Sequence, residues 1–380
     1  MDDRLGNAEA LKSLTRKTKV MSHPVLYVAI TSHGFGHAVR AASVAAAAQA
    51  LLPELVPIFV TKVPRWLLAS YVSGKFLQRD RALDVGVVQS DSLQMDLNAT
   101  REALQAIRDH EEMIIQEEAE FITSQNARLM IADIPALAGK IAQKAGIPCW
   151  SITNFGWDFI YRDWGEGFTD LADWMSEGYA SSDRAFRLPM YEPMSAFPNI
   201  TDVGLTGGVP KWSGQEIREQ FGLTQPREKT ILLSFGGLGL HKIPYQNLQY
   251  FTDWQFITFD QQAPSYPNLL KVQDYNYRPL DFMPVVGRVI SKPGYSTFSE
   301  ALRVGVPIVS LRREQFAESP LLLRGIENYA YHQILSPDEF FEGEWKFLHE
   351  SPQPPRSDNS VATDGTEKIA SAIVDYFSRK

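Results

Sequence analysis

The sequence predicts an α/β chain of two domains, each a parallel sheet covered by helices, with the two sheets facing each other across a cleft. Three observations carry that prediction. Short apolar runs rich in β-branched residues alternate with helical stretches, the pattern of successive β-α-β units. The alternation runs through the chain twice, with different spacing in each half. Glycine-rich polar turns stand directly after apolar runs in both halves, where open parallel sheets hold their ligands. A length of 380 residues suits two domains, at roughly 100–200 residues each.

Residues 1–22 are polar and read as a flexible tail without the apolar core of a signal peptide. Residues 23–207 form the first Rossmann-like domain. Its first strand is residues 25–32, followed by an Ala-rich helix over 38–52. Residues 55–61 are the second strand and 85–88 a weaker one. One long helix is expected over 100–125, with Leu104, Ile107, Ile114, Ile115, Ala119 and Ile122 as its apolar stripe. Strands at 129–133 and 147–153 flank a helix at 136–145 that exits on Gly146. The boundary falls at 206–212, before a capping box of Ser213 and Glu216. Residues 208–355 form the second domain, with strands at 230–235, 255–259, 285–291 and 307–311 and a helix at 297–304. Residues 356–380 are a linker and a last helix expected to pack back on the first domain.

Composition narrows the chemistry. The 37 basic and 45 acidic residues give a net charge of −8, which argues against a nucleic-acid or anionic-membrane binder. No run approaches the ~20 apolar residues of a membrane span. Cys149 stands alone, so neither an intrachain disulfide nor a multi-cysteine zinc site is available, and a cytoplasmic location is expected.

Four segments carry the candidate chemistry. The turn after the first strand, residues 32–40, packs His33, Gly34, Gly36 and His37 together and ends on Arg40. Glycines admit a substrate close to the backbone, and histidine suits proton transfer near neutral pH. Asp133 closes another strand, where it can orient a histidine base or cap the next helix. Gly236 and Gly237 follow the strand at 230–235 and can offer backbone N–H groups to a phosphate. Residues 291–300 join Lys292, a Pro-Gly turn at Gly294, Tyr295, and the hydroxyls Ser296 and Thr297 at a helix start, an anion-binding arrangement. Glu300 lies a turn further on, placed to accept two hydroxyls, as from a ribose. Glu314 and Glu318, after the last strand, can hold sugar hydroxyls. Asn154, Trp157 and Asp158 open an aromatic-rich loop that can stack on a sugar or an apolar acceptor. There is no Asp-x-Asp, His-Glu-x-x-His or Gly-x-Ser-x-Gly motif, so a phosphate site without metal is expected, with no cofactor.

These segments resemble GT-B glycosyltransferases. The nearer resemblance is to the glycosyltransferase-like N-terminal domain of plant-type arabinokinases and its free-standing bacterial relatives. They share the His-Gly-Phe-Gly-His-Ala-x-Arg turn, the Asn-Phe-x-Trp-Asp-Phe-Ile-Tyr segment and the Gly-Tyr-x-Thr-x-Ser-Glu-Ala-Leu helix, here residues 32–40, 154–161 and 294–302. The resemblance covers about residues 25–335. No matching Gly/Ser-rich kinase loop occurs, so sugar kinase activity is not implied.

The resemblance implies a nucleoside diphosphate sugar donor, UDP favoured, held by the second half. Ser296 and Thr297 would face the diphosphate with Gly236 and Gly237, and Glu300 the ribose. Gly34, Gly36, Arg40, Asn154, Trp157 and Asp158 would lie on the acceptor side. His37 would be the base, oriented by His33 or Asp133, with the acceptor an unidentified hydroxyl. A nucleotide-sugar hydrolase of the same fold, or a non-catalytic sugar-nucleotide binder, is the alternative.

Overall fold

The computed structural model describes residues 23–89, 95–236, 240 and 243–379. The expected tail at 1–22 and Gly237 lie outside them. In the first half, β1 (Val25–Ile30) leads into α1 (Gly36–Leu51), followed by β2 (Val56–Val60), α2 (Arg65–Tyr71) and β3 (Leu77–Arg79). Then come α3 (Leu97–Asp109), α4 (Glu111–Ser124), β4 (Ala127–Asp133), α5 (Leu137–Ala145) and β5 (Cys149–Thr153). Helices α6 (Trp157–Asp163) and α7 (Thr169–Ala180) precede β6 (Arg184–Arg187) and β7 (Ile200–Asp202). All seven strands run parallel in the order β3-β2-β1-β4-β5-β6-β7.

The second half contains α8 (Gly214–Phe221), β8 (Thr230–Leu233), β9 (Gln255–Thr258), β10 (Leu269–Lys271) and α9 (Pro279–Phe282). It continues through β11 (Arg288–Ser291), α10 (Tyr295–Val304), β12 (Ile308–Leu311), α11 (Glu318–Tyr329), β13 (His332–Leu335) and α12 (Pro337–Phe341). Its six strands are also parallel, ordered β10-β9-β8-β11-β12-β13. The last helix, α13 (Gly365–Ser378), lays Ile369, Ala370, Ile373 and Phe377 into the core and packs on α1.

The central strands are covered on both faces, which is why they read as unbroken apolar runs. In β1, Leu26 to Ile30 are all buried. Strand order reverses between β1 and β4 in one sheet and between β8 and β11 in the other. Such reversal points open a crevice at the carboxyl ends of the strands, and both crevices face the same cleft.

Three expectations for the elements are corrected. Residues 85–88 are not a strand; the edge of the sheet is β3. The helix over 100–125 is two helices broken at His110. The aromatic segment at 154–161 is not a loop throughout, since α6 begins at Trp157. The capping box of Ser213 and Glu216 forms, and Gly146 ends α5 in the left-handed conformation at φ 71°. Among the described residues no helix is long and apolar enough to cross a membrane.

Candidate functional site

The site starts from strand register. Ile30 of β1 pairs with Asp133 of β4, so the end of β4 lies beside the turn that carries His33 and His37. His37 and Arg40 stand one helical turn apart on α1 and point the same way. Asp133 meets both. His37 Nδ1 lies 2.8 Å from Asp133 Oδ1, Arg40 Nε donates to Oδ2 at 2.5 Å, and a second guanidinium nitrogen donates to Oδ1. A carboxylate only accepts. The shorter contact, to Asp133, is met by a proton on Nδ1, which leaves Nε2 of His37 its lone pair; a terminal nitrogen of Arg40 also lies 3.0 Å from Nδ1 and would donate to it in the other tautomer. Burial alone would raise the Asp133 carboxyl, but Arg40 and then His37 outweigh it and hold it below the usual carboxylate range.

His33 does not share this arrangement. It is half-buried, edge-on to Trp157 at 5.1 Å and stacked on Phe316 from the second half at 6.1 Å. Loss of hydration, then the nearby charge of Lys292, holds its imidazole well below the usual histidine range. His33 is thus neutral near pH 7, and Asp133 is the group that orients His37. Asp84 fixes the start of the turn, accepting from the Thr31 hydroxyl at 2.6 Å and the Ser32 amide at 3.0 Å.

Across the cleft, α10 begins at Tyr295 with Gly294 before it, no side-chain cap and no acid in its first turn. Its first N–H groups are therefore available to an anion. A Cβ at Gly294 would meet no heavy atom nearer than 3.9 Å, so glycine leaves the approach to that helix end open. Gly236 turns the chain after β8 in the left-handed conformation, φ 77°.

The two halves enclose a cleft of about 110 Å³. From the first half it is lined by His33, Gly34, Gly36, His37, Arg40 and Asn154. The second half contributes Gly236, Lys292, Gly294, Tyr295, Ser296, Thr297 and Glu318. Two contacts close it: Ser296 Oγ donates to the Gly36 carbonyl at 2.6 Å, and Asn154 Nδ2 to Glu318 Oε1 at 2.8 Å.

The remaining candidates lie elsewhere. Asp133 stands behind His37, not on the cleft wall. Asp133 does not cap α5; its carboxylate is taken by His37 and Arg40. Glu314 is exposed and off the cleft, because the left-handed Gln315 turns the loop to bury Arg313, Phe316 and Glu318 instead. Trp157 is a fully buried platform behind both histidines, its Nε1 donating to Thr31 at 3.2 Å. Asp158 is off the cleft as well, accepting from Ser176 of α7 at 3.1 Å. Glu300 does not line the cleft. It is buried beneath residues 207–208, accepting from the Tyr71 hydroxyl at 3.2 Å and the Gly208 amide at 3.3 Å. Desolvation pushes its carboxyl up to about 7.

Sequence reasoning missed Arg313, Phe316 and Tyr71. The first two stand in a polar loop after a strand, where the acids Glu314 and Glu318 draw the eye and the arginine and phenylalanine beside them carry no motif. Tyr71 ends a helix with no motif around it, and nothing local marks it.

No family model matches the chain. Among curated proteins, L-arabinokinase of Arabidopsis thaliana is 30% identical over 338 residues, which span 85% of this chain and 31% of the arabinokinase. The chain thus spans about a third of that relative's length. Among structures, Arabidopsis thaliana UGT89C1 superimposes with a TM-score of 0.61 at 13% identity, covering 93% of this chain and 99% of that one. The same protein complexed with UDP-L-rhamnose gives a TM-score of 0.59 at 14% identity, covering 93% of this chain and 99% of that one. CalG4, the calicheamicin glycosyltransferase, gives 0.58 at 14% identity, covering 94% and 98%. At these identities the likeness is one of fold.

Proposed function

The chain has the GT-B fold, and from that premise we propose that it is a glycosyltransferase using a nucleoside diphosphate sugar, UDP favoured, and a hydroxyl acceptor. The observation that carries the proposal is the pairing of two unlike ends. A histidine with its Nδ1 held by a carboxylate faces, across the cleft, the uncapped start of a helix. In this reading His37 Nε2 takes the acceptor's proton as the acceptor oxygen bonds to the anomeric carbon. The bond from that carbon to the diphosphate oxygen breaks. The departing charge meets Lys292 and the N–H groups of α10, with no metal required by the step.

A cleft of about 110 Å³ is below the roughly 300–1,000 Å³ of small-molecule sites. Donor entry therefore requires the halves to part, a hinge motion about the two crossings of the chain, residues 206–212 and the segment that leads into α13. The preference for UDP rests on fold likeness to a protein seen with UDP and with UDP-L-rhamnose.

The test is thermal denaturation with UDP-, GDP- and TDP-sugars. A donor at a hundred times its Kd stabilises by about 2.7 kcal/mol, so a UDP-sugar raises the melting temperature by several degrees. No shift with any nucleotide sugar overturns the donor assignment. Incubation with the donor alone then separates the readings. Slow release of free sugar is expected, whereas release at full rate makes water the acceptor and the protein a hydrolase. Donor binding without turnover by any acceptor leaves a sugar-nucleotide binder.

A further inference from the structure

One hydrogen-bonded chain crosses from the second half to the base. Glu318 is the first residue of α11, and its Oε1 accepts from Asn154 Nδ2 at 2.8 Å. Asn154 Oδ1 accepts from a terminal nitrogen of Arg40 at 3.1 Å. Arg40 clamps both oxygens of Asp133, which holds His37 Nδ1. None of the five residues is more than 9% exposed, so solvent does not compete for these bonds.

We propose that Asn154 and Glu318 are positioning residues that transmit closure of the two halves to the Asp133–His37 pair. The proposal rests on the reading of His37 as the base, but its test does not need a substrate. The physical argument is one of polarity. Arg40 only donates and a carboxylate only accepts, so the amide between them has one workable orientation: oxygen toward Arg40, nitrogen toward Glu318. The reverse would set donor against donor and acceptor against acceptor in a buried site. Glu318 belongs to the other half and withdraws with it when the cleft opens. The Asn154 amide then keeps only a long contact, 3.5 Å, to the Met190 carbonyl, and the guanidinium loses its fixed partner on the side away from Asp133. Closure around substrate restores the clamp. The base is thereby held rigidly only when the site is shut.

The experiment is proton NMR of the full chain, following the His37 Nδ1–H resonance, assigned by its loss in His37→Gln. A histidine N–H bonded to a buried carboxylate is downfield and slow to exchange with water. Exchange is expected to accelerate at least tenfold in Glu318→Ala and in Glu318→Asp, whose carboxylate is withdrawn by one methylene. Glu318→Gln, which keeps the acceptor oxygen, should stay within about twofold of the parent. The Trp157 Nε1–H, bonded to Thr31 in the same half, is the internal control and should not change. Unaltered His37 exchange in Glu318→Asp overturns the proposal. So does equal loss in Gln and Asp, or parallel acceleration at Trp157, which would make Glu318 a brace for the whole domain. Should Glu318→Ala fail to fold, the Asp and Gln pair decides. Absence of nucleotide binding would remove the transferase reading and leave this result standing.

Discussion

The two crevices that meet in the cleft are built by opposite means. At the β1/β4 reversal the working groups are side chains, and they are buried, mutually hydrogen-bonded and charge-matched: His37, Asp133, Arg40 and Asn154. At the β8/β11 reversal the working groups are largely backbone. They are a left-handed glycine at 236, an open approach at Gly294 and a helix that starts without a cap. Under the proposed transfer, the difference follows from what each end would have to do. Moving a proton needs one tautomer and one direction, which only a fixed side-chain network supplies. Holding a diffuse anion needs aimed N–H groups and positive charge, which a helix start and one lysine supply with few side chains.

The largest expected effect breaks the first end alone. His37→Ala should lower turnover of the donor identified by melting by about two to four decades, the contribution of a general base. Donor affinity should stay within about twofold, because the diphosphate end is untouched. Steady-state rates and isothermal titration check the pair of outcomes. Equal loss of affinity and rate would mean that the two ends do not divide the labour.

Glu300 tests the same contrast from the second half, since it is a buried carboxylate there with its carboxyl pushed up to about 7 by desolvation. Its ordinary value is 4.5. A carboxyl raised in the folded state favours folding while protonated. That contribution is complete below about pH 4.5 and is lost as pH rises through 7, on the order of 3 kcal/mol in all. Gln keeps an oxygen for Tyr71 and Gly208 and cannot ionise. Glu300→Gln should therefore match the parent in urea denaturation near pH 4.5 and exceed it by on the order of 3 kcal/mol at pH 8. Parallel stability curves would refute the assignment. If a donor ribose displaces Tyr71 from this carboxylate, the same variant binds nucleotide more weakly while being more stable.

What was legible in the sequence was local. Turns after strand ends marked His37, Lys292 and Ser296, which the structure brings to one cleft, and the end of β4 marked Asp133, which stands behind His37, because a chain that leaves a buried strand must turn there. The break at His110 was hidden because the apolar stripe runs through Ile107 and Ile114 and no glycine or proline marks the position. The weak run at 85–88 has the composition of a strand, yet the place beside β2 is taken by β3. Docking of the halves was not legible at all. The partners Asn154–Glu318 and Tyr71–Glu300 are 164 and 229 residues apart. Nothing in either segment announces the other, so the sequence could neither rank Asp133 above His33 nor reveal that Glu300 is already engaged.

The smallest expected effect comes from Ser296, despite its place at the helix start. In the closed protein its hydroxyl already donates to the Gly36 carbonyl at 2.6 Å. Binding a diphosphate there exchanges one hydrogen bond for another, and only their difference appears in affinity. A single such bond is worth about 0.5–1.5 kcal/mol net, so Ser296→Ala should weaken donor binding by less than about tenfold. The N–H groups of α10 survive the substitution, because alanine keeps the helix. Lys292→Ala removes a charge-assisted partner of about 1.5–3 kcal/mol and should cost more. Isothermal titration on both variants gives the order. If Ser296→Ala proves the more damaging, the donor end depends on a side chain as the base end does, and the contrast between the two crevices fails.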